Sequence, residues 1–114
     1  QVYDIIQRAQ HDGVNIQVEV VGDRPDGAIA IEHPLVQGAL TTLKEMGVTG
    51  ALEVGSTDGN VPLSHGCPTV TIGITRGANA HRLDEYIEIQ PTQSGMKQLI
   101  VLALATAEYF SANS

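Results

Sequence analysis

Residues 92–110 follow Pro91 as one long helical run, and its middle, Leu99 to Ala105, is apolar nearly all round. A helix of that kind must be buried between other elements. The demand for cover on more than one side constrains the fold more than any other feature of the chain. Gly95 lies inside this run and costs it about 1 kcal/mol relative to alanine. A close helix–strand approach at Gly95 explains why it is there.

The elements upstream supply candidates for the cover. Val2, Ile5, Ile6 and Ala9 recur at helical spacing, and Asp12-Gly13 ends that run. Val14, Ile16, Val18 and Val20 alternate with Asn15, Gln17 and Glu19, the pattern of a half-buried strand. Residues 22–27 read as a turn or interdomain linker. His33 is placed as a helix cap, with Pro34 in the first turn. Leu35, Val36, Ala39, Leu40, Leu43 and Met46 then make one apolar stripe, closed by Gly47.

Ala51 to Val54 and Thr69 to Ile74 read as strands, each running into a polar loop, and Tyr86 to Ile89 reads as a third. Helices alternating with strands predict an α/β class, a layered sheet with flanking helices. In such sheets, sites form at the carboxyl ends of strands, where both polar loops lie.

Composition narrows the function. The chain has 114 residues, 42% of them hydrophobic, which suits one modest core of Val, Ile, Leu and Ala. Its net charge is -7 with only six Lys and Arg, so no basic patch is available for nucleic acid or for an anionic membrane. The lone Cys67 excludes an intrachain disulfide and is compatible with a reducing cytoplasm, where we place the protein. Its setting between Gly66 and Pro68 reads as a small buried filler. No signal peptide is visible, and the apolar run at 99–105 is too short to span a bilayer. The chain begins at Gln1 rather than methionine, which fits a fragment or a processed product.

Two loops carry the chemistry. Gly77-Ala78-Asn79-Ala80-His81 ends in a histidine and is followed by Arg82-Leu83-Asp84-Glu85. A neutral imidazole is a good zinc ligand, and Asp84 or Glu85 is placed to orient the ring. Spacing alone equally describes a hydrogen-bonded loop histidine. Ser56, Thr57, Asp58 and Asn60 form the second cluster, suited to the polar end of a small substrate or to an Asx or ST turn. Arg76 fits either a partner for a substrate carboxylate or a solvated loop residue. No phosphate-binding glycine motif is present, and Ser64-His65 is not a hydrolase dyad.

Three stretches in order carry a resemblance. Gly55-Ser56-Thr57-Asp58-Gly59-Asn60-Val61-Pro62, then residues 66–73, Gly-Cys-Pro-Thr-Val-Thr-Ile-Gly, then Gly77 through Glu85, resemble the C-terminal catalytic segment of the dinuclear-zinc aminoacylase and carboxypeptidase family of metallopeptidases. That family includes acetylornithine deacetylase, succinyl-diaminopimelate desuccinylase, peptidase T, carnosinase and glutamate carboxypeptidase. Val20-Val21-Gly22-Asp23-Arg24-Pro25 resembles the exit of the family's inserted dimerisation domain.

The resemblance implies that residues 1–24 end the inserted lid domain and that 25–114 are the C-terminal part of a phosphorylase/hydrolase-like catalytic domain. It implies that His81 is the last ligand of one of two zinc ions, with manganese or cobalt as alternatives. It further implies that Ser56, Thr57, Asp58, Asn60, Arg76, Gly77 and Asn79 line the pocket for an N-acyl amino acid or short peptide. The family's remaining donors are a His-x-Asp motif, a Glu-Glu pair whose first member is the general base, and a further acidic residue. This chain has neither motif. The expectation is therefore an inactive fragment of an amidohydrolase that lacks its N-terminal catalytic half and holds no metal of its own. The alternative is a non-catalytic binding or oligomerisation module. A homo-oligomer is expected, above all under the second reading, because a cut domain exposes apolar surface.

Overall fold

A computed structural model of the chain describes residues 1–113. In order, the elements are α1 (Val2–Ala9), α2 (Pro34–Glu45), α3 (Asn60–Ser64), β1 (Gly77–Ala78), β2 (Tyr86–Ile87) and α4 (Thr92–Ala112).

Helix α2 starts where its sequence says it should. The His33 imidazole Nδ1 accepts the Leu35 amide at 3.1 Å, and Pro34 occupies the first turn. Its end is set by Gly47 at φ +74°, a left-handed conformation that glycine adopts without a Cβ penalty. Helix α4 packs on α2. Val36 and Ala39 of α2 are buried, as is Leu102 of α4, and Leu102 lies 3.5 Å from where a side chain on Gly38 would begin.

The inward face of α4 is one stripe, Gly95, Gln98, Leu102 and Thr106, at three- and four-residue spacing. A Cβ at Gly95 would fall inside the Ile74 carbonyl and 2.6 Å from Ile74 Cα. The close approach expected at Gly95 is present, but it is made to a segment that forms no ladder among the described residues rather than to a strand. Val70, Ile72 and Ile74 are half-buried, whereas Thr71 and Gly73 between them are exposed. The alternation turns the β-branched residues toward α4.

Much of the apolar surface lacks cover. The outer faces of α4 are open, with Ile100 54% and Leu104 67% exposed. The expectation that residues 99–105 are buried between other elements is thus corrected: among the described residues the chain provides a neighbour for one stripe only. Helix α1 buries no residue.

The alternating run 14–20 forms no ladder among the described residues. Val14 is bonded back to the His11 carbonyl at 2.8 Å, and Val18 and Val20 are exposed. A half-buried strand needs a partner strand, and among the described residues none lies alongside. Runs 51–54 and 69–74 also form no ladder among the described residues. With 27–31 and 48–50 they border a cavity of about 650 Å³ over α2, walled by Val36, Leu40, Leu43, Val48, Val70 and Ile72.

The only ladder among the described residues is antiparallel, pairing Gly77 with Ile87 and Ala78 with Tyr86. The third predicted strand, 86–89, is therefore present in its first half, and its partner comes from a stretch that reads as loop. Cys67 is exposed rather than buried, because the turn after α3 carries it outward.

The chain measures 63 × 41 × 19 Å, with a radius of gyration of 20.1 Å. A compact domain of 100 residues has a radius of about 13 Å. No helix among the described residues is long and apolar enough to cross a membrane.

Candidate functional site

His81 sits on the loop that closes the β1–β2 hairpin. Asn79 and His81 both adopt left-handed backbone, at φ +62° and +65°. Asn and His tolerate that region better than most residues, so the conformation costs little here. Side chains lock the loop. Asn79 donates to the Asp84 carboxylate at 3.0 Å and to its carbonyl at 3.3 Å. The His81 N–H donates to the Glu85 carboxylate at 3.1 Å. Arg82 pairs with Asp84 at 3.0 Å.

Below the loop, the hairpin is tied down. The Glu88 N–H donates to the Arg76 carbonyl at 2.8 Å, and the Thr75 hydroxyl donates to the Glu88 carbonyl. Gly77 leaves no room for a Cβ, which would lie 2.7 Å from the Tyr86 carbonyl oxygen. Of the expected pocket residues here, Gly77 serves strand pairing and Asn79 serves the loop. Arg76 is exposed and forms no ion pair among the described residues.

The second cluster is built differently. Asn60 bridges two segments: its carbonyl oxygen accepts the Thr57 N–H at 3.0 Å, and its amide donates to the Pro25 carbonyl at 3.2 Å. The Thr57 hydroxyl accepts the Gly59 N–H at 3.2 Å and lies 3.1 Å from the Thr71 hydroxyl. Arg24 donates to the Ser56 hydroxyl at 3.2 Å and stands 3.8 Å from the Asp58 carboxylate. The predicted turn chemistry is present, and the loop also binds residues that precede it by more than thirty positions.

Arg24, Pro25 and Thr71 were not predicted as members of this cluster. Arg24 reads locally as a turn charge, and no periodicity marks a long-range partner. Helix α3 was also missed, because five residues are too few for a helical repeat to show. The Ser64 hydroxyl donates to the Val61 carbonyl at 2.7 Å, which leaves it serving its own helix rather than a histidine.

No hydrogen bond or ion pair among the described residues joins the His81 loop to the Ser56–Asn60 loop. Nor do the described residues gather three or more His, Cys, Asp or Glu side chains at one point. A catalytic zinc takes three protein ligands and a water. The carboxylates nearest His81 in sequence, Asp84 and Glu85, are engaged by Arg82, Asn79 and the His81 amide. Among the described residues, no second and third donor of these types gather with His81. What the hairpin does supply is one exposed imidazole on a loop tied by side-chain hydrogen bonds. Compared with protein-family models, with curated proteins and with solved structures, the chain matches none.

Proposed function

We propose that this chain is part of a metal-dependent amidohydrolase of the aminoacylase and carboxypeptidase kind, acting on N-acyl amino acids or short peptides in the cytoplasm. In this reading the fold is a layered α/β sheet completed by an N-terminal catalytic half. Residues 1–24 end the lid domain and 25–114 belong to the catalytic domain. His81 is one zinc ligand, and the remaining donors and the general base come from the missing half.

The observation that carries the reading is the ordered motif run from Gly55 to Glu85, with His81 on a tied hairpin loop. Uncovered apolar surface on α1 and α4 supports the missing half.

The test uses the protein encoded by the complete reading frame. A His-x-Asp and a Glu-Glu should precede Gln1. His81→Ala should abolish hydrolysis of N-acetyl amino acids and dipeptides and lower bound zinc from two equivalents toward one. Full activity and unchanged zinc in that variant would refute the proposal. The present chain, supplied with Zn²⁺ or Co²⁺, should show no chelator-sensitive turnover.

A second reading, a non-catalytic assembly module, is favoured by the same uncovered faces, with Ile5 of α1 at 67% exposure. It predicts concentration-dependent association without any metal requirement. A monomer by light scattering at high concentration counts against it.

A further inference from the structure

We infer that residues 24–27 form a latch that holds the Ser56–Asn60 loop and α3 in place, so that residues 1–23 join the rest of the chain at that loop. The inference rests on contacts within this chain and does not depend on the proposed catalysis.

Three kinds of contact converge on four consecutive residues. Arg24 donates to Ser56 at 3.2 Å. Pro25 offers its carbonyl to Asn60 at 3.2 Å, and that same Asn60 fixes the Thr57 amide. Gly27 lies against α3 so closely that a Cβ would meet the Leu63 carbonyl carbon and the Ser64 nitrogen, each at 2.8 Å. Here φ is not positive, so glycine is required by the close approach and not by backbone conformation.

The weights of these contacts differ. The Arg24–Asp58 pair spans 3.8 Å between side chains 48% and 107% exposed, and such a pair adds little. Asn60 and Gly27 hold the latch. Asn60 satisfies a backbone donor and a backbone acceptor at once, and Gly27 sets the distance. Downstream of the latch, Ala28, Ile29 and Ile31 border the cavity over α2, and the Ile31 carbonyl accepts the Gln37 side-chain amide at 2.7 Å. Upstream of Arg24, residues 17–23 are exposed, with no backbone hydrogen bond among the described residues. The contacts to Ser56–Asn60 therefore begin at Arg24 and Pro25, where the exposed segment ends. Conversely, a ligand that takes the Ser56 hydroxyl or the Asn60 amide must displace them.

Hydrogen exchange on the chain tests this. Asn60→Ala should raise exchange of the Thr57 and Gly59 amides about fivefold or more, the loss of one hydrogen bond worth of protection. Gly27→Ala should do the same by wedging the latch open, without removing any polar side chain. Arg24→Ala should raise it about twofold, less in high salt. The amides of Leu40–Lys44 in α2 should not change in any variant. Unchanged exchange at Thr57 and Gly59 in Gly27→Ala overturns the inference. An equal rise across α2 overturns it too, since the contacts would then serve general stability and not a local latch.

Discussion

Replacing Gly95 with alanine sets two effects against each other. Within a helix, Gly→Ala is favourable by about 1 kcal/mol, because alanine loses less backbone entropy. Here the new methyl would occupy the position of the Ile74 carbonyl and stand 2.6 Å from Ile74 Cα. The obstacle is backbone and cannot rotate aside. It is also anchored on its C-terminal flank, where Thr75 bonds to the Glu88 carbonyl. Overpacking costs about 1–3 kcal/mol even where side chains can adjust, so the upper end applies and outweighs the helix gain. The net loss should be about 2 kcal/mol, roughly thirtyfold in the folding constant. Urea titration of the helical circular dichroism measures it, with the exposed Gln93→Ala as a control within about 0.5 kcal/mol of the parent. A Gly95→Ala chain stabilised by about 1 kcal/mol would refute the reasoning, because that is the response of an unpacked helix.

Gln98 is 1% exposed, and neither its Nε2 nor its Oε1 has a hydrogen-bond partner among the described residues. Gln98→Met keeps the volume, removes the stranded amide and should stabilise by about 1–2 kcal/mol in the same titration; a loss of more than about 1 kcal/mol would show that the amide is satisfied in solution. His33→Ala removes the cap on α2 and should cost about 1 kcal/mol, with His33→Asp restoring it. Exchange of the Leu35 amide reads the outcome, and no change would mean that the cap is idle. Cys67 should react with a thiol reagent in the native chain as fast as in urea, given its exposure; a need for denaturant contradicts that.

Local chemistry was legible in the sequence where the cause is local. His33-Pro34 and Gly47 bound α2 because capping, a fixed proline φ and a left-handed stop are properties of a few consecutive residues. Gly95 was readable as a close approach because nothing else justifies glycine inside a helix. Strand patterns were less informative, since Val14–Val20 records which face wants burial but not whether a neighbour exists to pair with it. The same holds for Leu99–Ala105, where hydrophobicity states a demand that this chain meets on one stripe only. Of the site residues, the internal turn of Thr57 and Asn60 was foreseeable. Their bonds to Arg24, Pro25 and Thr71 depend on how distant segments meet, and no single stretch encodes that.

The 19 Å thickness has a thermodynamic consequence. In so thin a plate most large apolar groups already touch water before unfolding, so less new surface is hydrated when the chain opens than in a compact domain of this length. Heat-capacity change and denaturant sensitivity both scale with that surface. The protein should therefore melt over a wide temperature range, and its transition should sharpen once another polypeptide thickens the plate.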